Sequence, residues 1–414
     1  MRFAIAIAGL TLVVRSAVAQ DPGALRVFLD CQNLDCDFDH FRRTIEFVNW
    51  VRDREAAQVH VLGTAQETGS GGDEYTFTFL GRGEFAGRAD TLRHASSGTD
   101  TDTEVRDALT RMLALGLVRF AAATPLAPNL SVRYEAPDEE GATPPAGGPD
   151  PWNFWVFQVG LSGEVEGETR QNTLALDGDV SASRVTEPFK LELGLRGEYQ
   201  RDRFDLDDGS RIVSTSKEWE VEGQAVWSLG RHWSLGLRGE GGASTFTNRD
   251  FRIEGGPALE VNVFPYEQST RRLFTITLTA GLTYYDYTDS TIFNRTAEVR
   301  PAHVLEVGVA QQEPWGQVEG SAEWFQYWHD WDRHRIELFA GIELRIVRGL
   351  SFDLFGSVAR VKDQIYLSKV DLTPAEVLLE LRELGTDFRF SLDVGVSFRF
   401  GSIYNNIVNP RLGN

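Results

Sequence analysis

Residues 335–346 read RIELFAGIELRI, and their side chains alternate between apolar and polar. Successive side chains of an extended chain point to opposite faces, so Ile336, Leu338 and Ile342 share one face. Arg335 and Glu343 fall on the other face. This stretch predicts a long β-strand with one apolar face and one charged face.

The same pattern recurs in KLELGLRGEY (190–199) and LFTITLTAGLTY (273–284), and it continues from about residue 153 to residue 400. A soluble β-sandwich and a transmembrane β-barrel both produce such alternation. Strands of soluble proteins are usually about five or six residues long, whereas membrane-spanning strands need about nine to eleven. Alternation that persists for ten residues or more therefore favours the barrel.

Aromatic residues gather near the predicted strand ends, where an amphipathic ring prefers the membrane–water interface. They are Trp227, Trp233, Trp315, Trp324, Trp328 and Trp331. The alternation divides into twelve strands, which begin near residues 154, 172, 188, 211, 232, 250, 272, 299, 315, 333, 349 and 387. Short and long connections alternate between them, as is typical of outer-membrane barrels. The predicted fold is mainly β: a 12-stranded antiparallel transmembrane β-barrel over residues 153–400, preceded by a small α/β domain.

The remaining segments predict an exported chain. Residues 1–19 have the charged start, apolar stretch and small-residue cleavage site of a secretory signal peptide. Residues 20–122 read as a periplasmic α/β domain, and residues 123–152 as a Pro- and Gly-rich linker. With an even number of strands, we expect the α/β domain and the tail, residues 401–414, on the periplasmic side.

Within the α/β domain, Asp37 is expected to begin a helix whose apolar face runs from Phe38 to Val48. Cys31 and Cys36 are the two cysteines of the chain. In an oxidising compartment so close a pair favours a local disulfide, with two buried thiols or a metal or redox site as alternatives. The spacing matches neither a redox turn nor a zinc knuckle.

The last predicted strand carries the pattern Asp393-x-Gly395-x-x-Phe398-x-Phe400, which resembles the signal that outer-membrane barrels present to their assembly machinery. The region 187–408, with HWSLGLRGE, NVFPYEQSTRR and FGSIYNNIVNP, resembles an uncharacterised family of bacterial outer-membrane barrels and is distantly similar to the salt-induced outer-membrane proteins. The N-terminal segment HVLGTAQETGSGG resembles the periplasmic domain that accompanies those barrels. The resemblance implies a location in the outer membrane, with lipid and the assembly machinery as partners. It implies no established chemistry.

The charged face predicts a lumen with an acidic excess, which would favour cations in an open channel. Opposite charges that pair across the interior would instead fill a narrow barrel. The candidate lumen residues are Glu192, Arg196, Glu198, Glu220, Glu222, Arg238, Glu240, Glu254, Glu260, Glu319, Glu323, Arg335, Glu337, Glu343 and Arg345.

Other functions have less support in the sequence. A net charge of −20 argues against nucleic acid as a partner. The run YWHDWDRH (327–334) resembles a site for a hydrolase only in its composition, and we expect a polar loop without enzymatic activity. No cofactor or metal site is predicted. The domain 20–122 remains a candidate for docking a periplasmic protein.

Overall fold

The computed structural model describes residues 23–133, 150–205, 209–347, 350–370 and 384–398. The predicted signal peptide, the tail 401–414, Phe400 and residues 134–149 of the predicted linker lie outside these ranges. The described chain forms a five-stranded sheet with two α-helices, and a separate sheet of twelve strands.

The N-terminal domain has the order β2-β1-β3-β4-β5, with β1 parallel to its two neighbours and the remaining pairs antiparallel. Its elements are β1 (Leu25–Cys31), α1 (Phe38–Thr44), β2 (Val48–Trp50), β3 (Val59–Glu67), β4 (Asp73–Gly81), β5 (Ala89–Ala95) and α2 (Asp102–Ala121). The helix predicted to reach Val48 ends at Thr44, because Val48 begins β2 and pairs with Leu25. Parallel pairing of β2 overrides the helical spacing at this point.

Local chemistry explains where the helices begin. Asp37 accepts a hydrogen bond from the backbone N–H of His40, and Thr101 with Glu104 forms a capping box. Both satisfy amides that the first helical turn leaves unpaired. The core between α2 and the sheet contains Phe79 and Leu113, both fully buried.

The twelve strands of the large sheet follow one another in chain order, and every neighbouring pair is antiparallel. They are β6 (Trp155–Gly167), β7 (Gln171–Val185), β8 (Phe189–Asp205), β9 (Arg211–Ser228), β10 (Trp233–Ser244), β11 (Arg249–Asn262), β12 (Arg272–Asp286), β13 (Ala297–Glu313), β14 (Gly316–Tyr327), β15 (His334–Val347), β16 (Leu350–Val361) and β17 (Phe388–Phe398). The predicted number of strands is confirmed, and each strand begins within two residues of its predicted start.

The large sheet is not closed. Its order ends at β6 on one side and β17 on the other, and no pairing joins these two strands among the described residues. The predicted closed barrel therefore differs from the observed open sheet. Alternation determines the two faces of each strand, but closure depends on tilt and stagger summed over all strands, which no local pattern specifies.

The two ends of the large sheet differ. We call the end with connections 186–188, 229–232, 263–271 and 314–315 the base, and the opposite end the loop end. The loop end carries the longer connection 287–296 and the segment 362–370. No described helix is long and apolar enough to cross a membrane.

Candidate functional site

The pairing register places all fifteen candidate lumen residues on one face of the large sheet. Glu192 and Arg238 both pair with Gln224, on the strand between them. Glu240 pairs with Glu222 on one side and Glu254 on the other. We call this charged surface the inner face.

A cavity of about 1200 Å³ lies against the inner face. It reaches from the base, at Gly69 of the β3–β4 turn, to Tyr327 at the loop end. Seven of the predicted residues line it: Glu192, Glu222, Arg238, Glu240, Glu254, Glu323 and Arg335. The other eight share the inner face without lining the cavity: Arg196, Glu198, Glu220, Glu260, Glu319, Glu337, Glu343 and Arg345.

Several residues outside the cavity lining have other partners. Arg196 pairs with Glu198 at 2.7 Å. Glu260 accepts hydrogen bonds from Tyr266 at 2.7 Å and Thr277 at 2.8 Å. Arg345, predicted as a lumen residue, instead makes an ion pair with Asp30 of the N-terminal domain.

The cavity lining contains charged residues that were not among the fifteen candidates. Glu306 and Asp363 add acidic groups, and Lys190, Arg249 and Arg252 add basic ones. With Glu67, the lining holds eight acidic and five basic side chains, a net of three negative charges. The alternation of HVLEVGV (303–309) carried the signal for Glu306, whereas Asp363 lies beyond the end of β16 and no strand pattern includes it.

Most of the basic groups are held by carboxylates. Arg252 bridges Glu240 at 2.9 Å and Glu254 at 2.7 Å. Arg335 contacts Glu323 at 2.9 Å and Asp363 at 3.3 Å. These ion pairs neutralise part of the charge of the cavity lining.

One ion pair crosses the interior. Arg238 of β10 contacts Glu306 of β13 at 2.8 Å, although β11 and β12 lie between these strands in the sheet. A flat sheet keeps second neighbours roughly 10 Å apart, so a direct contact between third neighbours requires strong curvature. The inner face is therefore concave.

Aromatic side chains and the segment 362–370 pack together at the loop end. The hydroxyls of Tyr285 and Tyr327 lie 3.0 Å apart, and the Tyr285 and Tyr287 rings stack at 5.7 Å. Ile365 packs into this cluster and is buried. Asn248 donates to the backbone carbonyl of Tyr366 at 2.9 Å, which ties the segment to the neighbouring loop.

The N-terminal domain contacts the base directly. Both terminal nitrogens of Arg345 donate to the carboxylate of Asp30. Arg54 donates to the backbone carbonyl of Pro314 at 2.6 Å, and Gln32 to that of Glu313 at 3.3 Å. The contacts join the end of β1, the residue after it and the turn that follows β2 to two places on the large sheet, the β13–β14 turn and the end of β15.

Asp30 is the centre of this contact. Its side chain is 1% exposed, and its carboxylate also lies 3.2 Å from Nε2 of His60. Burial alone would raise the pKa of Asp30, but the hydrogen bonds from His60 and Arg345 outweigh it and hold the pKa below its ordinary value. Asp30 is therefore a charged anchor for Arg345.

The remaining sequence-based sites are placed as follows. Cys31 and Cys36 form a disulfide bond. In the assembly pattern, Asp393 and Gly395 share the inner face of β17 with Arg389. Phe398 lies on the opposite face and is 62% exposed.

Two histidines at or near the run 327–334 make local contacts. Trp328 donates to Nδ1 of His303 at 2.9 Å, and the His334 ring contacts the backbone carbonyl of Trp331. The described part of the chain brings together no group of three or more side chains suited to a metal. Comparisons with models of known protein families and with curated proteins find no match.

Proposed function

We propose that this chain is an outer-membrane β-barrel protein whose lumen is a narrow conduit that favours small cations, with its N-terminal domain on the periplasmic side. The observation that carries the proposal is the apolar outer face of the large sheet. Its exposed side chains include Leu161, Val165, Leu193, Leu195, Leu235, Leu237, Leu278, Leu282, Leu338, Phe390, Leu392 and Val394.

Water is a poor solvent for such a face. Soluble monomers rarely expose a continuous apolar patch larger than a few hundred Å², and here the apolar side chains continue from β6 to β17. Lipid would solvate them without cost. The strands are 11 to 18 residues long, which is sufficient for a tilted strand to cross the hydrocarbon layer.

A membrane also supplies the reason for closure. An open strand edge in hydrocarbon leaves N–H and C=O groups unpaired, at a cost of several kcal/mol for each group. We therefore propose that β6 and β17 pair with each other in the bilayer. The barrel-assembly machinery is the proposed partner for that step, recognising the pattern from Asp393 onward.

The acidic excess of the cavity supports cation preference. Glu222 lines the cavity and makes no ion pair among the described residues, so its charge is free to act on a passing ion. Glu220 is its neighbour on the same face of β9.

Planar-bilayer recording of the full chain tests the proposal. We expect small cation-selective currents, and we expect the Glu220→Gln/Glu222→Gln double variant to lose much of the selectivity. Glu198→Gln is the matched control, because Glu198 shares the inner face, lies outside the cavity lining and is paired with Arg196. Selectivity that is identical in all three proteins would contradict the conduit.

A filled barrel with a structural role is the second candidate. The Arg238–Glu306 contact across the concave inner face and the buried aromatic cluster at the loop end favour it. It predicts a folded, membrane-inserted protein that carries no current, including after both ends have been opened. Far-UV circular dichroism and heat-modified mobility of the inserted protein would establish folding in that case.

A further inference from the structure

The β3–β4 turn of the N-terminal domain reaches the base end of the cavity. Gln66, Thr68, Gly69 and Gly71 belong to the cavity lining, together with Ser183 of β7. Ser183 donates from its hydroxyl to the carbonyl of Gly69 at 3.4 Å. We call residues 66–72 the tip.

The tip has a defined shape. The backbone N–H of Thr68 donates to the carbonyl of Gly72 at 2.7 Å, and that of Gly71 to the carbonyl of Thr68 at 3.1 Å. Gly71 has a φ of 78°, a conformation that favours glycine. The tip is therefore a preformed turn rather than a loose loop.

Close packing holds the tip against β7. A Cβ atom on Gly69 would lie 2.6 Å from Cγ2 of Val185 and closer still to Cβ of that residue. Such distances are far inside van der Waals contact, so only glycine fits here. Ser269 adds a hydrogen bond to the side chain of Gln66 at 3.1 Å.

The rest of the domain covers the base through its second sheet face. Val27, Leu29, Val59 and Val61 belong to the core beneath the helices. Asp30 and its neighbour His60 alternate with those residues and so lie on the opposite face, yet both are buried. The contacts to Arg345, Pro314 and Glu313 come from this side of the domain.

We propose that the N-terminal domain is a lid on the lumen: the tip closes the base end of the cavity, and the Asp30–Arg345 ion pair is the latch that holds it. This inference rests on the proposed conduit, whose base opening it regulates. The lid opens by separation of the latch and withdrawal of the tip, after which the cavity communicates with the periplasmic side. Its polar contacts are one ion pair and a few hydrogen bonds, as expected for domains that separate without unfolding.

The test measures access to the cavity without relying on current. Both cysteines are joined in the disulfide, so Ser183→Cys introduces a single reactive thiol beneath the tip. We would follow its modification by a charged, membrane-impermeant methanethiosulfonate reagent in the full chain purified in detergent micelles. The reporter should react slowly in the otherwise unchanged protein.

Two independent changes should expose the reporter. Gly69→Ala pushes the tip away from Val185, and Arg345→Gln removes the latch. We expect each to accelerate modification roughly tenfold or more, because modification of a covered thiol follows the population of the open state. Adding Val185→Gly to Gly69→Ala removes the obstructing methyl groups and should restore slow modification.

Arg231→Gln is the matched control. Arg231 lies at the same end of the sheet and is paired with Glu267 at 2.9 Å, and its side chain makes no hydrogen bond or ion pair with the described residues of the N-terminal domain. The Ser183→Cys thiol in the Arg231→Gln variant should react as slowly as it does in the parent protein. A fast reaction in the parent, or equal rates in all variants, would overturn the lid. Accelerated modification without any current in bilayers would support the lid and defeat the conduit, so the two failures are distinguishable.

Discussion

Placing a charge on the apolar outer face of the large sheet should change the free energy of unfolding very differently in water and in lipid. Leu237 is 53% exposed on β10, and its neighbour Arg238 lies on the inner face. Leu237→Arg changes only what the outer face presents to its surroundings. On a water-exposed surface this substitution would alter the free energy of unfolding by less than about 0.5 kcal/mol.

The depth of Leu237 sets the expected cost in lipid. Leu237 is four residues from Trp233, where β10 begins, so at about 3.3 Å per residue it lies about 13 Å along the strand. A tilt of about 40° reduces this to about 10 Å below the interface, close to the middle of an apolar band about 25 Å tall. Arginine at that depth costs about 2–4 kcal/mol.

Val263 provides the comparison. It is 50% exposed and follows the end of β11, so it lies at the interface. Val263→Arg should cost about 0–1 kcal/mol. Reversible urea unfolding in lipid vesicles measures both values. If Leu237→Arg costs no more than Val263→Arg, the outer face does not lie in hydrocarbon and the proposed membrane location is wrong.

Three further predictions concern the N-terminal domain. The folded-state pKa of Asp30 lies below its ordinary value of 3.8. The contribution of Asp30 to the free energy of unfolding is therefore fully present above that value and is lost as the pH falls through the folded pKa. Urea titrations at several pH values should show that the free energy of unfolding declines below about pH 4 in the parent protein and much less in Asp30→Asn. Replacing Cys31 and Cys36 together by serine should lower the free energy of unfolding by roughly 2 kcal/mol, since the bridge closes only a short loop; an unchanged thermal midpoint would contradict this. Gly116→Ala should destabilise α2 by about 1–3 kcal/mol through overpacking against the Phe79 ring, and the denaturation midpoint of Gly116→Ala should recover when Phe79→Leu is added.

The sequence predicted the strands well because their information is local. Alternation assigns each residue to a face, and turn residues mark each end, so strand starts such as that of β9 at Arg211 were accurate. The same alternation placed the candidate lumen residues on one face. Edge strand β5 was missed because its exposed, weakly apolar residues resemble a loop.

The position of the N-terminal domain had no comparable signal. Asp30 and Arg345 are separated by 315 residues. In the sequence Arg345 continues the charged face of β15, and Asp30 is one acidic residue at the end of a short strand. Gly69 likewise reads as an ordinary turn residue, and only the folded chain shows Val185 against it.

The main contact between the N-terminal domain and the base is an ion pair, and this affects the free energy needed to separate them. Withdrawing a carboxylate from water costs several kcal/mol, so a buried ion pair contributes little net stability compared with apolar packing. An apolar interface would hold the domain in place permanently, whereas Asp30 and Arg345 can each regain water when they separate. His60 remains beside Asp30 on its own sheet, 3.2 Å away, so the carboxylate keeps a partner after Arg345 has left. The open state therefore leaves no unpaired buried charge within the domain, and this is the property that a reversible lid requires.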